Sequence, residues 1–235
     1  MLVFGASSGI GLALLQLAVT KGWRAVGVSR QLRPAALDDN IVWRQLTFQS
    51  DNLAQLDSAL AEICQQYQPQ KVFICHGLLQ QAQVRVEKSI RQLDVDSAYQ
   101  SWWVNYLVPM LHIKGIWPYL LQQQCKVLVL SAKVGSIADN QLGGWYSYRA
   151  AKAALNMAVK TAAIELRRQQ THTQLVTVHP GTTDTPLAAP FVKNVPLRQL
   201  QTANDTAVRL WLVAENLQPV DHGVLLNWDG KHLPY

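Results

Sequence analysis

Residues 2–11 read LVFGASSGIG, and this stretch decides the fold. Its three apolar residues suit a buried strand, and residues 10–21 have the apolar spacing of an amphipathic helix. The glycines between them permit a tight turn and a close approach of the backbone. Such a turn directs the free N–H groups of the helix at a phosphate, so the sequence predicts a dinucleotide-binding loop. A glycine-rich turn without a ligand is the alternative.

Short apolar runs alternate with stretches of helical period along the rest of the chain. The runs predict seven strands, at residues 2–4, 24–29, 41–48, 71–75, 126–131, 174–179 and 223–227. Helices are predicted between them at 10–21, 53–67, 95–121 (a stretch that Pro109 could interrupt), 146–168 and 203–215. Near-continuous apolar strands are typical of sheets covered on both faces. We therefore expect a doubly wound α/β fold with a seven-stranded parallel sheet, a Rossmann fold, formed by residues 1–235 as a single domain.

Composition sets limits on the partners. The chain has 235 residues, of which 49% are hydrophobic and 15% charged, the balance of a globular protein. Its net charge is +6, but the basic residues form no run, which argues against nucleic acid and favours a mildly cationic surface or a small phosphorylated ligand. We expect no membrane segment, because no apolar run is long enough. Three cysteines without a CxxC pair and six histidines without ligand spacing predict no metal site and a cytoplasmic location.

The residue that follows the second predicted strand indicates the choice of dinucleotide. Residues 25–29 end in Arg30, and no acidic residue follows until Asp38. An acidic residue at this point would bind the 2′-hydroxyl of NAD, whereas a guanidinium suits the 2′-phosphate of NADP. The sequence therefore favours NADP, with a solvated surface arginine as the alternative reading.

A tyrosine and a lysine stand four residues apart near the start of a predicted helix, in the sequence YRAAK at 148–152. Residues at this spacing share one helix face, so both side chains can point into one site. A nearby ammonium group stabilises a phenolate and lowers the pKa of the phenol. Tyr148 and Lys152 are therefore candidates for proton transfer near neutral pH.

Together these motifs resemble the short-chain dehydrogenase/reductase family, and residues 135–137 and 143–149 look like its sniffer- and C-factor-type carbonyl reductases. The resemblance implies an NADP-dependent oxidoreductase that transfers hydride between NADP(H) and a carbonyl or alcohol substrate. It implies that Tyr148 is the catalytic acid or base, that Lys152 also holds the nicotinamide ribose, and that Asn105 anchors a relay water. The implied cofactor-binding residues are Gly5, Ser7, Ser8, Gly9, Ile10, Gly11, Arg30, Gly77, Tyr148, Lys152, Pro180, Gly181, Thr183 and Thr185.

The chain departs from the family at the catalytic serine. Where the family has Ser-Ser-x-x-Gly, residues 131–136 read SAKVGS, which places Ala132 at the expected position. Ser131 and Ser136 are the available substitutes, and either could instead only cap a loop. Neighbouring side chains of an extended strand point to opposite faces, which counts against Ser131. Ser136 lies 12 residues before Tyr148 and is preferred.

Three further expectations concern other parts of the chain. Residues 182–201 contain three prolines and are predicted to form a substrate loop. The missing serine leaves a second function open, an NADPH-binding signalling or sensor protein of C-factor type with little turnover. Finally, a homodimer or homotetramer is expected, because two predicted helices carry more apolar residues than one sheet face needs: Trp102, Trp103, Tyr106, Leu107, Leu111, Ile113, Leu155, Met157, Ala158 and Ala162.

Overall fold

The computed structural model describes residues 1–48, 52–80, 84–192, 196 and 199–235. Its helices are α1 (Gly9–Thr20), α2 (Leu53–Tyr67), α3 (Val95–Trp102), α4 (Val108–Gln122), α5 (Tyr146–Arg168) and α6 (Ala203–Asn216). Its strands are β1 (Leu2–Phe4), β2 (Val26–Ser29), β3 (Val42–Gln45), β4 (Lys71–Ile74), β5 (Lys126–Leu130), β6 (Gln174–His179), β7 (Thr182–Thr183), β8 (Leu200–Gln201), β9 (Leu225–Asn227) and β10 (His232–Leu233).

Eight of these strands form the central sheet, in the order β3-β2-β1-β4-β5-β6-β9-β10. The seven predicted strands pair in parallel, which confirms the doubly wound α/β fold. The predicted count of seven is short by one, because β10 adds an antiparallel edge strand. A tight turn at Gly230, whose φ is +82°, reverses the chain between β9 and β10. Two-residue strands of this kind are too short to give a periodic sequence signal.

Alternate residues of the central strands enter two separate cores. Val3 faces the core that α1 and α6 cover, whereas Leu2 and Phe4 face the core covered by α2, α4 and α5. All three residues of β1 are completely buried. Because both faces of the sheet are covered, the strands read as continuous apolar runs in the sequence.

The predicted helix over 95–121 is two helices joined by a π-helical turn, Trp103–Leu107. The interruption precedes Pro109, which lies in the first turn of α4. Proline has no N–H to continue the α-helical hydrogen-bond pattern, and the π-helical turn interrupts that pattern just before it. Single π-helical turns often occur at functional sites.

The predicted substrate loop is anchored at its base by β7 and β8, which pair in parallel as a separate two-stranded sheet. Asp184 adds a hydrogen bond from its N–H to the carbonyl of Gln201, at 2.8 Å. Residues 193–195, 197 and 198 of this loop lie outside the described residues. Among the helices described, none has both the length and the apolar character needed to cross a membrane.

Candidate active site

The glycine-rich turn connects β1 to α1 at the carboxyl edge of the sheet. Gly9 has a φ of +53°, and a β-carbon there would lie 3.1 Å from Cγ2 of Thr185. A β-carbon at Gly11 would lie 2.4 Å from the carbonyl oxygen of Gly5. Within the described residues, no side chain caps the N-terminus of α1 and its first turn holds no acidic residue. The turn therefore requires glycine, and the first N–H groups of α1 can bind an anion.

The other predicted residues of this turn line its accessible surface. Ser7 and Ile10 are half-buried and Ser8 is exposed. The N–H of Gly5 donates to the carbonyl of Val28 in β2, at 3.0 Å. The turn is thus fixed to the neighbouring strand while its outer side remains open to a ligand.

Arg30 follows β2 directly and is exposed. Its carbonyl accepts a hydrogen bond from Nε2 of Gln45, at 3.1 Å, which ties its backbone to β3. Among the described residues, the Arg30 guanidinium has no hydrogen bond or ion pair. The nearby Arg33, in contrast, donates to three backbone carbonyls between residues 37 and 41. Of these two arginines, only Arg30 has a guanidinium that is free to bind a phosphate.

Tyr148 and Lys152 lie one turn apart on the buried face of α5, where their side chains are 9% and 2% exposed. Nζ of Lys152 donates to the carbonyl of Leu130 at the end of β5, at 3.0 Å. It lies 5.9 Å from the ring centre of Tyr148. Within the described part of the chain, the Tyr148 hydroxyl makes no hydrogen bond. The predicted pair is therefore brought together at the same sheet edge as the glycine-rich turn.

Burial controls the protonation of this pair. It raises the pKa of Tyr148 above its ordinary value, and it lowers the pKa of Lys152 to about 7. Both shifts arise because a buried site disfavours the charged form of each group. The sequence predicted that Lys152 would lower the pKa of the phenol, and here burial outweighs that attraction.

Asn105 is completely buried in the π-helical turn. Its Oδ1 accepts from the N–H of Leu78, at 2.9 Å, and its Nδ2 donates to the carbonyls of Leu78 and Ser101, at 2.7 and 3.0 Å. The amide therefore clamps the segment after β4 to the helix. Pro109, four residues further on, has no N–H, so the carbonyl of Asn105 cannot receive its α-helical hydrogen bond.

The two serine candidates are both buried but differ in their hydrogen bonds. Oγ of Ser131 donates to Oδ1 of Asn156, at 2.6 Å. Oγ of Ser136 accepts from the N–H of Asp139, at 3.1 Å. A serine hydroxyl has a single proton to donate. Ser131 already uses its proton, whereas that of Ser136 is unused within the described residues.

The segment after β6 packs between the glycine-rich turn and α6. Pro180 and Gly181 are half-buried, and Gly181 has a φ of +82°. The hydroxyl of Thr183 shares a hydrogen bond with that of Thr206 in α6, at 2.9 Å. The hydroxyl of Thr185 donates to the carbonyl of Thr183, at 3.3 Å. Since Thr185 also lies beside Gly9, this segment packs against the glycine-rich turn.

Residues 76 and 77 follow β4 at the carboxyl edge of the sheet. A β-carbon at Gly77 would lie 2.7 Å from Cδ1 of Leu187 in the substrate loop. Burial lowers the pKa of His76 to about 4, so its ring is neutral at physiological pH. Its Nδ1 is buried and has no partner among the described residues. A neutral ring of this kind fits a structural or cofactor-edge residue better than a proton donor.

Sequence reasoning missed two residues of the site. Asn156 follows Lys152 by four residues and lies on the same helix face, a spacing that could have identified it. Glu87 contacts the first turn of α5, but it lies in an irregular segment where no sequence pattern points to it. Among the described residues, no three His, Cys, Asp or Glu side chains could together hold a metal ion.

Curated proteins related to this chain include a dehydrogenase, several uncharacterized oxidoreductases and a protein named C-signal. The chain is 32% identical over 145 residues to the C-signal of Myxococcus xanthus, a match that covers 60% of this chain and 82% of that protein. It is also 32% identical over 146 residues to 1-hydroxy-2-glutathionyl-2-methyl-3-butene dehydrogenase of Rhodococcus sp. (strain AD45), covering 62% of each. The chain spans about half the length of other relatives, such as an uncharacterized oxidoreductase of Schizosaccharomyces pombe at 55%.

Solved structures share the fold. The carbonyl reductase Sniffer of D. melanogaster has a TM-score of 0.80 at 21% identity, and a carbonyl reductase from chicken fatty liver, solved with NADPH bound, has 0.81 at 21%. Each comparison covers 100% of this chain and 98% of the other. The family model described as short chain dehydrogenase matches residues 1–196. The chain therefore belongs to the short chain dehydrogenase family.

Proposed function

We propose that the protein is an NADP-dependent reductase that transfers hydride between NADP(H) and a carbonyl or alcohol substrate. The observation that carries this proposal is the buried pair of Tyr148 and Lys152 at the carboxyl edge of the sheet, beside the glycine-rich turn. In open α/β sheets, ligands bind at this edge. The family membership and the dehydrogenase among the relatives support a redox reaction.

The residues present fit a dinucleotide phosphate. The first N–H groups of α1 have no side-chain cap, and Gly9 approaches Thr185 so closely that a β-carbon there would crowd it. The guanidinium of Arg30 is available for a 2′-phosphate, which favours NADP over NAD. When bound, the nucleotide supplies the hydride. The chicken reductase and a further structural neighbour from Burkholderia multivorans were solved with NADPH and NADP, which supports the same choice.

In this proposal Tyr148 is the general acid of the reduction. Because burial raises its pKa, the phenol is protonated at neutral pH and can donate its proton to the alkoxide oxygen that forms on the substrate. Lys152 has a pKa of about 7, so a modest change of its surroundings converts it between ammonium and amine. Its place one turn after Tyr148 suits it to return a proton to the phenolate.

Two further residues assist. The carbonyl of Asn105 lacks its α-helical donor because of Pro109, so we propose that the carbonyl, and not the amide side chain, accepts a hydrogen bond from the relay water. We assign polarisation of the substrate carbonyl to Ser136, because its hydroxyl proton is unused while that of Ser131 is bound to Asn156. A donor of this kind stabilises negative charge that develops on oxygen.

A sensor with little turnover remains the second candidate. Two observations favour it, the alanine at position 132 and the 32% identity to the C-signal of Myxococcus xanthus. A protein that only binds NADPH has no use for a buried phenol with a free hydroxyl beside a buried lysine. Tight NADPH binding without turnover across a broad panel of carbonyl compounds would favour the sensor.

We further propose a homodimer built on α3, α4 and α5 in the cytoplasm. Trp102 and Met157 are 40% and 68% exposed, which leaves an apolar surface for a partner copy. Ile113, Leu155 and Ala162, which the sequence also assigned to that surface, lie in the core instead. A homotetramer would need a second contact surface. The three cysteines are free thiols, as proteins of a reducing compartment require.

The decisive experiment follows NADPH absorbance with purified protein and a panel of aldehydes, diketones and quinones. We expect NADPH oxidation with at least one class, and its loss in Tyr148→Phe, which removes the proton donor while keeping the ring. The variant should still bind NADPH. Turnover that persists in Tyr148→Phe would overturn the role of Tyr148, and no oxidation by the wild type would overturn the proposed activity.

A further inference from the structure

Glu87 is a buried carboxylate with no part in the mechanism above. It lies in the irregular segment between β4 and α3 and is only 3% exposed. A carboxylate is almost never buried to this extent without partners. Its partners here all belong to the start of α5.

The contacts of Glu87 take the place of a side-chain cap, which the N-cap residue of that helix does not provide. Trp145, the N-cap residue, has a left-handed backbone with a φ of +53° and makes no side-chain hydrogen bond to the helix. Its N–H instead donates to the carbonyl of Glu87, at 2.6 Å. The Glu87 carboxylate accepts from the N–H of Ser147, at 3.3 and 3.4 Å, and closely from the Ser147 hydroxyl. One residue from another segment thus caps the first turn of α5.

The capped turn is the one that carries the phenol. Tyr148 follows Ser147 directly, and Lys152 is one turn further on. On the other side, Arg149 donates to the carbonyls of Gly144 and Val134, at 3.0 and 3.2 Å. The turn before α5 is therefore held by contacts on two sides. Within the described chain, only the contacts of Glu87 come from the segment after β4.

We propose that Glu87 is a positioning residue. By capping α5 from outside the helix, it fixes the position and orientation of the Tyr148 side chain. This inference rests on the proposed reductase function. A displacement of about 1 Å in a catalytic group is enough to slow a reaction without preventing binding. Loss of the cap should therefore lower kcat and leave the affinity for substrate and nucleotide nearly unchanged.

The test compares Glu87→Gln with Asp205→Asn. Asp205 is the control, since its carboxylate also accepts from a hydroxyl at a helix N-terminus, that of the N-cap residue Thr202, at 2.7 Å. It lies on α6, which covers the opposite face of the sheet. We expect Glu87→Gln to lower kcat by about tenfold or more, with KM and the Kd for NADPH within about twofold, because it removes a charge-assisted acceptor. Asp205→Asn should keep kcat.

Hydrogen exchange across residues 145–150 gives a readout that needs no turnover. Glu87→Gln should exchange faster there than the wild type, and Asp205→Asn should not. Ser147→Ala removes one donor of the same link and serves if Glu87→Gln fails to fold. Unchanged exchange in this segment, or faster exchange with unchanged kcat, would overturn the proposal. If the wild type reduces no carbonyl compound, the reductase function fails, while exchange still decides whether Glu87 caps α5.

Discussion

Oγ of Ser131 and Oδ1 of Asn156 lie 2.6 Å apart, and this contact uses the only proton that Ser131 can donate. Nδ2 of Asn156 reaches the carbonyl of Gly135, at 3.4 Å, on the loop after β5. The hydrogen bonds of Ser131 and Asn156 thus join the end of β5 and the loop after it to α5. We therefore expect Ser131 to support the site and Ser136 to act in it.

The two serines should respond differently to substitution. Ser136→Ala should lower kcat by about 100-fold, the usual effect of losing one donor to a developing oxyanion. Ser131→Ala should cost about 1–3 kcal/mol of stability, because it leaves the buried Oδ1 of Asn156 unpaired, and should change kcat little. Steady-state kinetics and urea denaturation measure the two effects. A larger kcat loss for Ser131→Ala would reverse the assignment.

Arg30→Asp tests the choice of nucleotide. We expect the Kd for NADPH to rise by about 10- to 100-fold, corresponding to a charge-assisted hydrogen bond of roughly 1.5–3 kcal/mol. The Kd for NADH should change little, since NADH has no 2′-phosphate, and this makes it the internal control. Titration of nucleotide fluorescence gives both constants. An equal loss for both nucleotides would refute the role of Arg30.

Lys152 should make stability depend on pH. Its pKa is about 7 in the folded protein and 10.5 for the ordinary side chain. Between these values the unfolded chain binds the proton and the native protein does not, so stability rises with pH by up to about 1.4 kcal/mol per unit. Lys152→Met should lose this rise, as urea denaturation between pH 7 and 9.5 would measure. Parallel stability curves for the two proteins would contradict it.

Gly11→Ala should disrupt the nucleotide turn. A β-carbon there would lie 2.4 Å from the carbonyl oxygen of Gly5, so the backbone must move. We expect a loss of about 1–3 kcal/mol in stability and a large loss of NADPH affinity. Gly22→Ala is the control, because a β-carbon at Gly22 meets nothing within 4 Å, although its φ is +72°. It should lose stability only. Equal NADPH affinity in both variants would count against the turn as the phosphate site.

The assembly prediction is tested by light scattering. We expect about twice the chain mass of 26.2 kDa for the wild type at micromolar concentration. Met157→Glu should shift it toward monomer, because it places a charge in the centre of an apolar contact. Leu121→Glu, at a second exposed apolar residue near the far end of α4, should have less effect. A wild-type mass near that of one chain would exclude the dimer.

The fold could be predicted because its signals are local. β1 is short, completely apolar and followed by a helical period, and β4 is apolar after Lys71 and preceded by one. The helices α2 and α5 begin and end where the sequence predicted. The β10 edge strand was not predicted, because two residues are too few to show a periodic pattern. The predicted break at Pro109 was near the real one. The position of the π-helical turn depends on backbone hydrogen bonds, and no single residue of the sequence indicates it.

The site could be predicted only in part. Tyr148 and Lys152 are recognisable because four residues on a helix fix their relative position. The pKa shifts could not be predicted with the correct sign, since they depend on how deeply α5 is buried. Glu87 could not be found either, because its contact with Ser147 spans 60 residues of chain and no period connects them.

The small ladder of β7 and β8 has a consequence for how this protein could diversify. Thr182 pairs with Leu200 and Thr183 with Gln201, so the two ends of the substrate loop are joined at a fixed width. A segment whose ends are held together can change in length and content at little cost to the rest of the chain, since loop entropy grows slowly with length. The residues between β7 and β8 can therefore be exchanged while the two strands keep their pairing. A chimera that grafts residues 188–199 from another short chain dehydrogenase, and so retains Thr185 beside Gly9, should keep the nucleotide and acquire a new substrate range.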